Sequence, residues 1–397
     1  MKERKEFITP VACAIFIALV AYFIMESATP ALLERVEQFG GIFSFNEISE
    51  NSQKLDFKWN FLYTVFDFSQ GPFLADIVGA ICMLLGGVLG RYLEKINSPH
   101  AGTGTEGNGK RFAWLVWAQL VGLAVANIFW RHIVGWNGWV PTFGTLISVT
   151  PVAIVFFGKP NFKKAITGII LGAIAPVWCI RMLVTYFSNP LNLPMFAGIG
   201  LAIGGCNLLA IELFRFLPWM NDGEEAELDE EVEKMPVAVE KERKRASWYV
   251  WTRVFGGDLS ELYFWGSSLS GLGILAGGII SYFMNPNTNG MGILFPKLMF
   301  CFIFTSALSM LIWGPKWKKE GFAFTFQALL FVGALVTKYS TWALAIPICI
   351  IAAFVAPALM HWAMTTKFFA RYHPCVTVQL LAGVLAIISG FILNMIA

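Results

Sequence analysis

The sequence predicts an all-α polytopic membrane protein of about 11 transmembrane helices, arranged as two inverted five-helix repeats with one extra N-terminal helix. Three observations predict it. Hydrophobic residues make up 56% of the 397 positions and charged residues 14%, with a mean hydropathy of +0.63. A soluble domain carries nearer a quarter charged residues, and at about 20 residues per span the chain has room for ten or eleven crossings. Next, the run Ile169-Ile170-Leu171-Gly172-Ala173-Ile174-Ala175-Pro176 returns as Ile350-Ile351-Ala352-Ala353-Phe354-Val355-Ala356-Pro357. Proline inside an apolar helix removes a backbone donor and kinks or ends the helix. A bilayer tolerates this only where protein or a water-filled cavity satisfies the freed carbonyl. Finally, further matches fall in the same order along the chain. Leu84, Gly86 and Gly87 match Leu275, Gly277 and Gly278; Phe112, Leu115, Ala124 and Trp130 match Phe295, Leu298, Ala307 and Trp313; Thr142-Phe143 and Leu146 match Thr325-Phe326 and Leu329.

The elements follow from apolar runs and their charged borders. Span 1 is expected at about 10–25, after Lys2, Arg4 and Lys5. A mixed-charge stretch, 28–71, then leaves room for an interfacial or re-entrant helix around Trp59, Phe61 and Phe66. Spans 2–6 are expected at 72–93, 112–130, 141–157, 165–185 and 194–217. The insert 219–247 is acidic and then basic, which reads as a solvated linker. Trp248, Tyr249, Trp251 and Phe255 follow it as an interfacial anchor. Spans 7–11 are expected at 262–284, 292–313, 321–337, 341–364 and 374–396. The segments are thus 1–71 (N-terminal helix and extracytoplasmic segment), 72–218 (first repeat), 219–257 (charged linker and interfacial helix) and 258–397 (second repeat). Five spans per repeat is an odd number, so the second copy enters the membrane in the opposite sense. That is the plan of many secondary transporters, whose site lies at the midplane between repeats.

Lys and Arg bias predicts a cytoplasmic N-terminus and an outside C-terminus, in a plasma (inner) membrane. The loops 91–111, 159–164, 219–247, 316–319 and 367–371 hold most of the basic residues, although Arg131 and Lys338 fall on the outer side. The net charge of +3 sits at span ends and offers nothing to nucleic acid. No Asn-x-Ser/Thr acceptor occurs. The seven cysteines are scattered singly, without the CxxC spacing of a zinc or redox site. There is no HExxH, GxSxG or Walker signature, so neither an enzyme, a metal nor a cofactor is expected.

Polar groups within apolar spans are expensive and mark candidate sites. Thr142 and Thr145 lie in span 4 between Pro141 and Pro151, and recur partly as Thr325 and Gln327 in span 9. Serine and threonine in helices also back-bond to their own carbonyls, which is the competing reading. Pro176 and Pro357 mark the kinks. Arg181 and His361 stand about one turn beyond them, the first also able to snorkel to the interface. Asn207 and Glu212 follow the Gly204-Gly205 pair in span 6, and Glu212 has Arg181 and Arg215 as competing partners. The expected site lies between span pairs 4/5 and 9/10. It would serve a small-molecule solute passing through a transporter or channel in the lipid bilayer, with a homo-oligomer left open. The alternatives are an intramembrane enzyme on a lipid-like substrate, with Arg181, His361 and Glu212 converging on one cavity, and a membrane subunit docking a partner through 219–247.

The stretch Ser267-Ser268-Leu269-Ser270-Gly271-Leu272-Gly273-Ile274-Leu275 resembles the start of a urea-transporter repeat. That family has two inverted five-helix halves, so the resemblance implies a duplicated small-solute channel or carrier. It covers about ten residues and is missing from the corresponding stretch Gly79–Gly87. No pore-lining residue can be carried over by position.

Overall fold

The computed structural model describes residues 5–39, 44–54, 56–98, 100–101, 109–135, 139–221, 247–264, 267–320, 325–367, 372 and 374–396. Most of these residues are helical, with no strand among them. Eight of the helices are long and apolar enough to cross a membrane. A ninth crossing results if the bent pair Gly257–Tyr263 and Ser268–Met284 counts as one. The chain is an integral membrane protein by composition and helix length together. The insert 222–246 lies outside the described residues.

The first half contains α1 (Lys5–Phe39), α2 (Phe45–Ser52), α3 (Phe57–Asp67), α4 (Ile77–Lys95), α5 (Phe112–Asn127), α6 (Gly144–Ile147), α7 (Val149–Val155), α8 (Phe162–Leu183) and α9 (Met195–Arg215). The second holds α10 (Ser247–Val254), α11 (Ser268–Met284), α12 (Phe295–Glu320), α13 (Thr325–Val336), α14 (Trp342–Thr365) and α15 (Pro374–Ile396). The first helix is longer than span 1 was expected to be, running through Pro30 as far as Phe39.

Three of the eleven expected crossings are not single full-length helices, span 7 being the pair bent by 107° between Tyr263 and Ser268. Span 4 is split at Ser148, whose φ of −126° and ψ of −122° take it out of the helical region between α6 and α7. Pro151 falls in the first turn of α7, where its missing N–H costs nothing. Span 9 is the 12-residue α13, about 18 Å long at 1.5 Å per residue, against a hydrocarbon core of about 30 Å.

Two helix pairs join the first half to the second, and glycine lets them approach. A Cβ on Gly200 of α9 would lie 2.7 Å from the Cα of Gly383 on α15, and Gly204 abuts Leu380. Residue number rises on one helix as it falls on the other, so the pair is antiparallel. Helices α4 and α11 pack in the same way, Gly79 against Gly277 and Gly90 against Ser267.

Hydrogen bonds gather the loops at two ends. At one, Arg35 donates to the carbonyls of Phe283 and Met284 at 2.7 and 2.8 Å. There too Lys338 donates to Asn192 Oδ1, Asn394 Nδ2 donates to the Asn192 carbonyl, and Gly290 N donates to the Leu74 carbonyl. At the other, Arg111 donates to the Gly158 carbonyl and Tyr372 OH to Glu212.

Candidate functional site

The break in span 4 exposes carbonyls that a continuous helix would use, and other helices supply the donors. Gln119 Nε2 of α5 donates to the Leu146 carbonyl at 2.5 Å and to the Tyr263 carbonyl at 3.0 Å. Gln379 Nε2 of α15 donates to the Ile147 carbonyl at 3.0 Å. Asn207 Nδ2 of α9 donates to Gln379 Oε1 at 2.7 Å, and Ser148 Oγ donates to Asn207 Oδ1 at 2.9 Å. Ser148, Asn207 and Gln119 are fully buried and Gln379 nearly so. Asn207, singled out from the sequence, therefore ties both halves of the chain to the broken span.

The kinked helices are satisfied as the bilayer requires. Pro176 frees the carbonyl of Gly172, which accepts from Thr145 Oγ1 at 3.0 Å. Pro357 frees the carbonyl of Ala353, which accepts from Trp313 Nε1 at 3.0 Å. Trp130, which matches Trp313, donates to the Ala173 carbonyl at 2.7 Å. The 4/5 interface itself is closed, since a Cβ on Gly172 would fall 2.1 Å from Thr150 Oγ1.

Other candidates separate. Arg181 Nη1 donates to the Trp139 carbonyl at 2.8 Å. Glu212 pairs with Arg215 at 2.9 Å and accepts from Tyr372 at 2.7 Å, at the opposite end of the bundle. Arg181 and Glu212 are kept apart by standing at opposite ends of the bundle, and Arg215, three residues from Glu212 on one helix face, takes its carboxylate. His361 is half-buried near the end of α14. The Thr325 side chain lies outside the described residues. Gln327 of α13 is fully buried, and no group among the described residues is within hydrogen-bond reach of its Nε2 or Oε1. The same holds for Thr305 Oγ1 and Ser309 Oγ on α12.

Thr142 belongs to a charged cluster that the sequence reading missed. Its hydroxyl donates to the buried carboxyl of Asp67, which sits at the end of α3, between the first two crossings. Burial pushes that carboxyl up from 3.8 to about 7, against the lowering effects of the Thr142 hydrogen bond and the Arg131 charge. Arg131 is 2% exposed, donates to Ser52 Oγ at 2.8 Å and lies over the Tyr63 ring at 3.8 Å.

A signal for this cluster was present. The spacing of 191 residues that relates Leu84 to Leu275 extends upstream to Asp67 and Asp258, Ser69 and Ser260, Phe73 and Phe264. The two copies share backbone geometry. Ser69 Oγ donates to the Asp76 carbonyl at 2.7 Å and Ser260 Oγ to the Ser267 carbonyl at 3.0 Å. Phe73 and Phe264 hold φ of 68° and 65°, strained values for a bulky side chain. Asp76 caps α4 and Ser267 caps α11. Asp258 pairs with Arg253 at 2.9 Å, as Asp67 lies in the field of Arg131.

A cavity of about 630 Å³ opens elsewhere, among α3, α4 and α5. Among the described residues no three His, Cys, Asp or Glu side chains come together to hold a metal ion. No known family, curated protein or solved structure matches the chain.

Proposed function

We propose that the chain is a transporter or channel for a small neutral polar solute, built from two inverted five-helix halves with its path along their junction. The single observation that carries this reading is Gln327, a buried amide with a donor and an acceptor that no described protein group answers. Unanswered buried polar atoms are costly, and a hydrated or solute-bearing path supplies both kinds of partner. Helix α13 is well placed for such a path, because it packs against α12, α14 and α15 of its own half and against α9 of the other. The positions 183 residues earlier than Thr305, Ser309 and Gln327 are Gly122, Ala126 and Gly144, so the polar seam is confined to the second half.

Inversion is supported by the helices that the matched positions pair. Gly200 and Gly383 are 183 residues apart and in contact, and Cys82 and Gly273 are 191 apart and in contact, each on an antiparallel pair. Contact between corresponding positions of opposed helices is what a two-fold axis in the membrane plane produces. A duplicated plan like that of urea transporters fits this arrangement. The Lys- and Arg-rich end, with Arg111, Lys159 and Lys163, is taken as cytoplasmic. The intramembrane-enzyme alternative loses ground, since Arg181 and Glu212 stand at opposite ends.

The test is uptake of a panel of neutral solutes and water into proteoliposomes. Gln327→Leu is expected to lower flux at least about tenfold, the loss of one buried polar partner, and His361→Ala to lower it less. Arg181→Ala is expected to leave flux close to the parent. Parental flux in both Gln327→Leu and His361→Ala would remove this path from the protein.

A further inference from the structure

The polar seam of α12 and α13 is shut in. Thr305 Oγ1, Ser309 Oγ and both amide atoms of Gln327 have essentially no accessible surface, so neither water nor solute reaches them until something moves. Beyond them, toward the end of the bundle that holds Asn192 and Lys338, the same two helices carry an aromatic cluster. On α12, Phe302 precedes Thr305 and Ser309 on one helix face. On α13, Gly333 follows Gln327 in the direction of Lys338. At 1.5 Å per residue, Phe302 stands about 10 Å from Ser309 and Gly333 about 9 Å from Gln327 along their helices. Both helices therefore set the cluster at one level, over one end of the seam.

The cover is Phe73, from the loop between α3 and α4. Its ring centroid is 5.6 Å from that of Phe196 on α9 and 6.3 Å from that of Phe302. A Cβ on Gly333 would fall 2.4 Å from its Cε2, so the ring lies where any side chain of α13 would project. Phe73 is half-buried, whereas Phe196 and Phe302 are buried, which makes it the outermost of the three. The backbone beneath it is strained, with φ of 68° at Phe73 and 48° at Ala75. Neighbours pin it there: Leu74 N and Ala75 N donate to the Ser69 carbonyl at 3.3 and 3.2 Å, and Gly290 N to the Leu74 carbonyl at 2.8 Å. Strain of this kind persists only where the surroundings over-determine it, and it gathers at switch regions. A swing of Phe73 back to ordinary φ releases that strain, which offsets the ring contacts it gives up.

We infer that Phe73 is the gate at this end of the path, closed while its ring lies on Gly333 and open to water once the ring withdraws. The inference rests on the reading of Thr305, Ser309 and Gln327 as the solute path. Phe264 is the internal control. It holds the same strained φ, but it is fully buried and packs on Phe156 at the end of α7. In that half the seam positions are Gly122, Ala126 and Gly144, so Phe264 covers nothing polar.

Labelling of Ser309→Cys in the full chain, in lipid nanodiscs, with a water-soluble methanethiosulfonate tests this, peptide mass spectrometry separating position 309 from the seven native cysteines. With Phe73 intact the thiol is expected to react slowly. Adding Phe73→Gly is expected to speed it at least about tenfold, since a minor open state holds about 0.1–10% of the population. Glycine takes positive φ without strain, so this variant keeps the loop, and thermal unfolding checks that it folds. Adding Phe264→Gly instead is expected to leave labelling slow. An unchanged rate in a folded Phe73→Gly, fast labelling with Phe73 intact, or equal acceleration by Phe264→Gly overturns the gate. Solute uptake separates this from the path itself. Flux that Gln327→Leu lowers, beside labelling that Phe73→Gly leaves unchanged, removes the gate and keeps the path. Labelling that Phe73→Gly accelerates, with no solute entering through parent or variant, keeps the gate and removes transport.

Discussion

Spans 4 and 9 match in sequence yet are built differently. Span 4 is broken at Ser148, and amides from α5, α9 and α15 answer its carbonyls. Span 9 is one short continuous helix carrying Gln327, whose own amide is unanswered. In the first, Thr145 and Thr150 donate to the carbonyls of Gly172 and Gly168 and Ser148 donates to Asn207, whereas in the second no described group answers Gln327.

The largest effect is expected where the copies differ in size. Gly172→Ala places a methyl 2.1 Å from Thr150 Oγ1, and a cost of about 3 kcal/mol follows from overpacking. The matching Ala353→Gly should cost about 1 kcal/mol, the helix propensity difference. Thermal unfolding in detergent measures both, and equal losses would break the comparison. The next effect sharpens it by sign. Gln119→Leu leaves the Leu146 carbonyl without that donor and should destabilise by about 1–3 kcal/mol. Gln327→Leu removes polar atoms that nothing answers, and stability should hold or rise.

A third prediction concerns Asp67. Its folded value of about 7 lies above its ordinary 3.8, so folding favours the protonated acid. The stability this contributes is full below about pH 4 and falls as pH rises toward 7, after which it is absent. Asp67→Asn should flatten the dependence of unfolding temperature on pH across that window, and an unchanged slope would assign it to other groups. The smallest effect belongs to the proline-freed carbonyls. Trp313→Phe and Thr145→Val should each cost about 0.6 kcal/mol, the usual worth of one interhelical hydrogen bond in a membrane. A loss in one copy several times that in the other would show that the two kinks are not equivalent.

Much of the architecture could be read from the residues. Apolar runs located the long helices, and Pro176 and Pro357 announced freed carbonyls that Thr145 and Trp313 then satisfy. The break at Ser148 could not be read, because Ile147 and Val149 are ordinary helix residues and the bend depends on amides from distant helices. The partner of Glu212 stayed open for a similar reason, since Arg181 and Arg215 are both plausible until the ends of the bundle are known. The Asp67 and Asp258 loops were legible in principle, being spaced like the glycines already matched. Their identities are sparse and fall in irregular stretches of mixed polarity, with no repeating apolar pattern to mark them.

What the chain determined by itself is its membrane character, its proline-marked helices and its internal echo, because these rest on local composition and on spacing along one helix. What only the tertiary structure decided is which polar group answers which. Gln379 and Ile147 are far apart in sequence, and a hydrogen bond between them exists only once glycine-lined helices have brought α9 and α15 together.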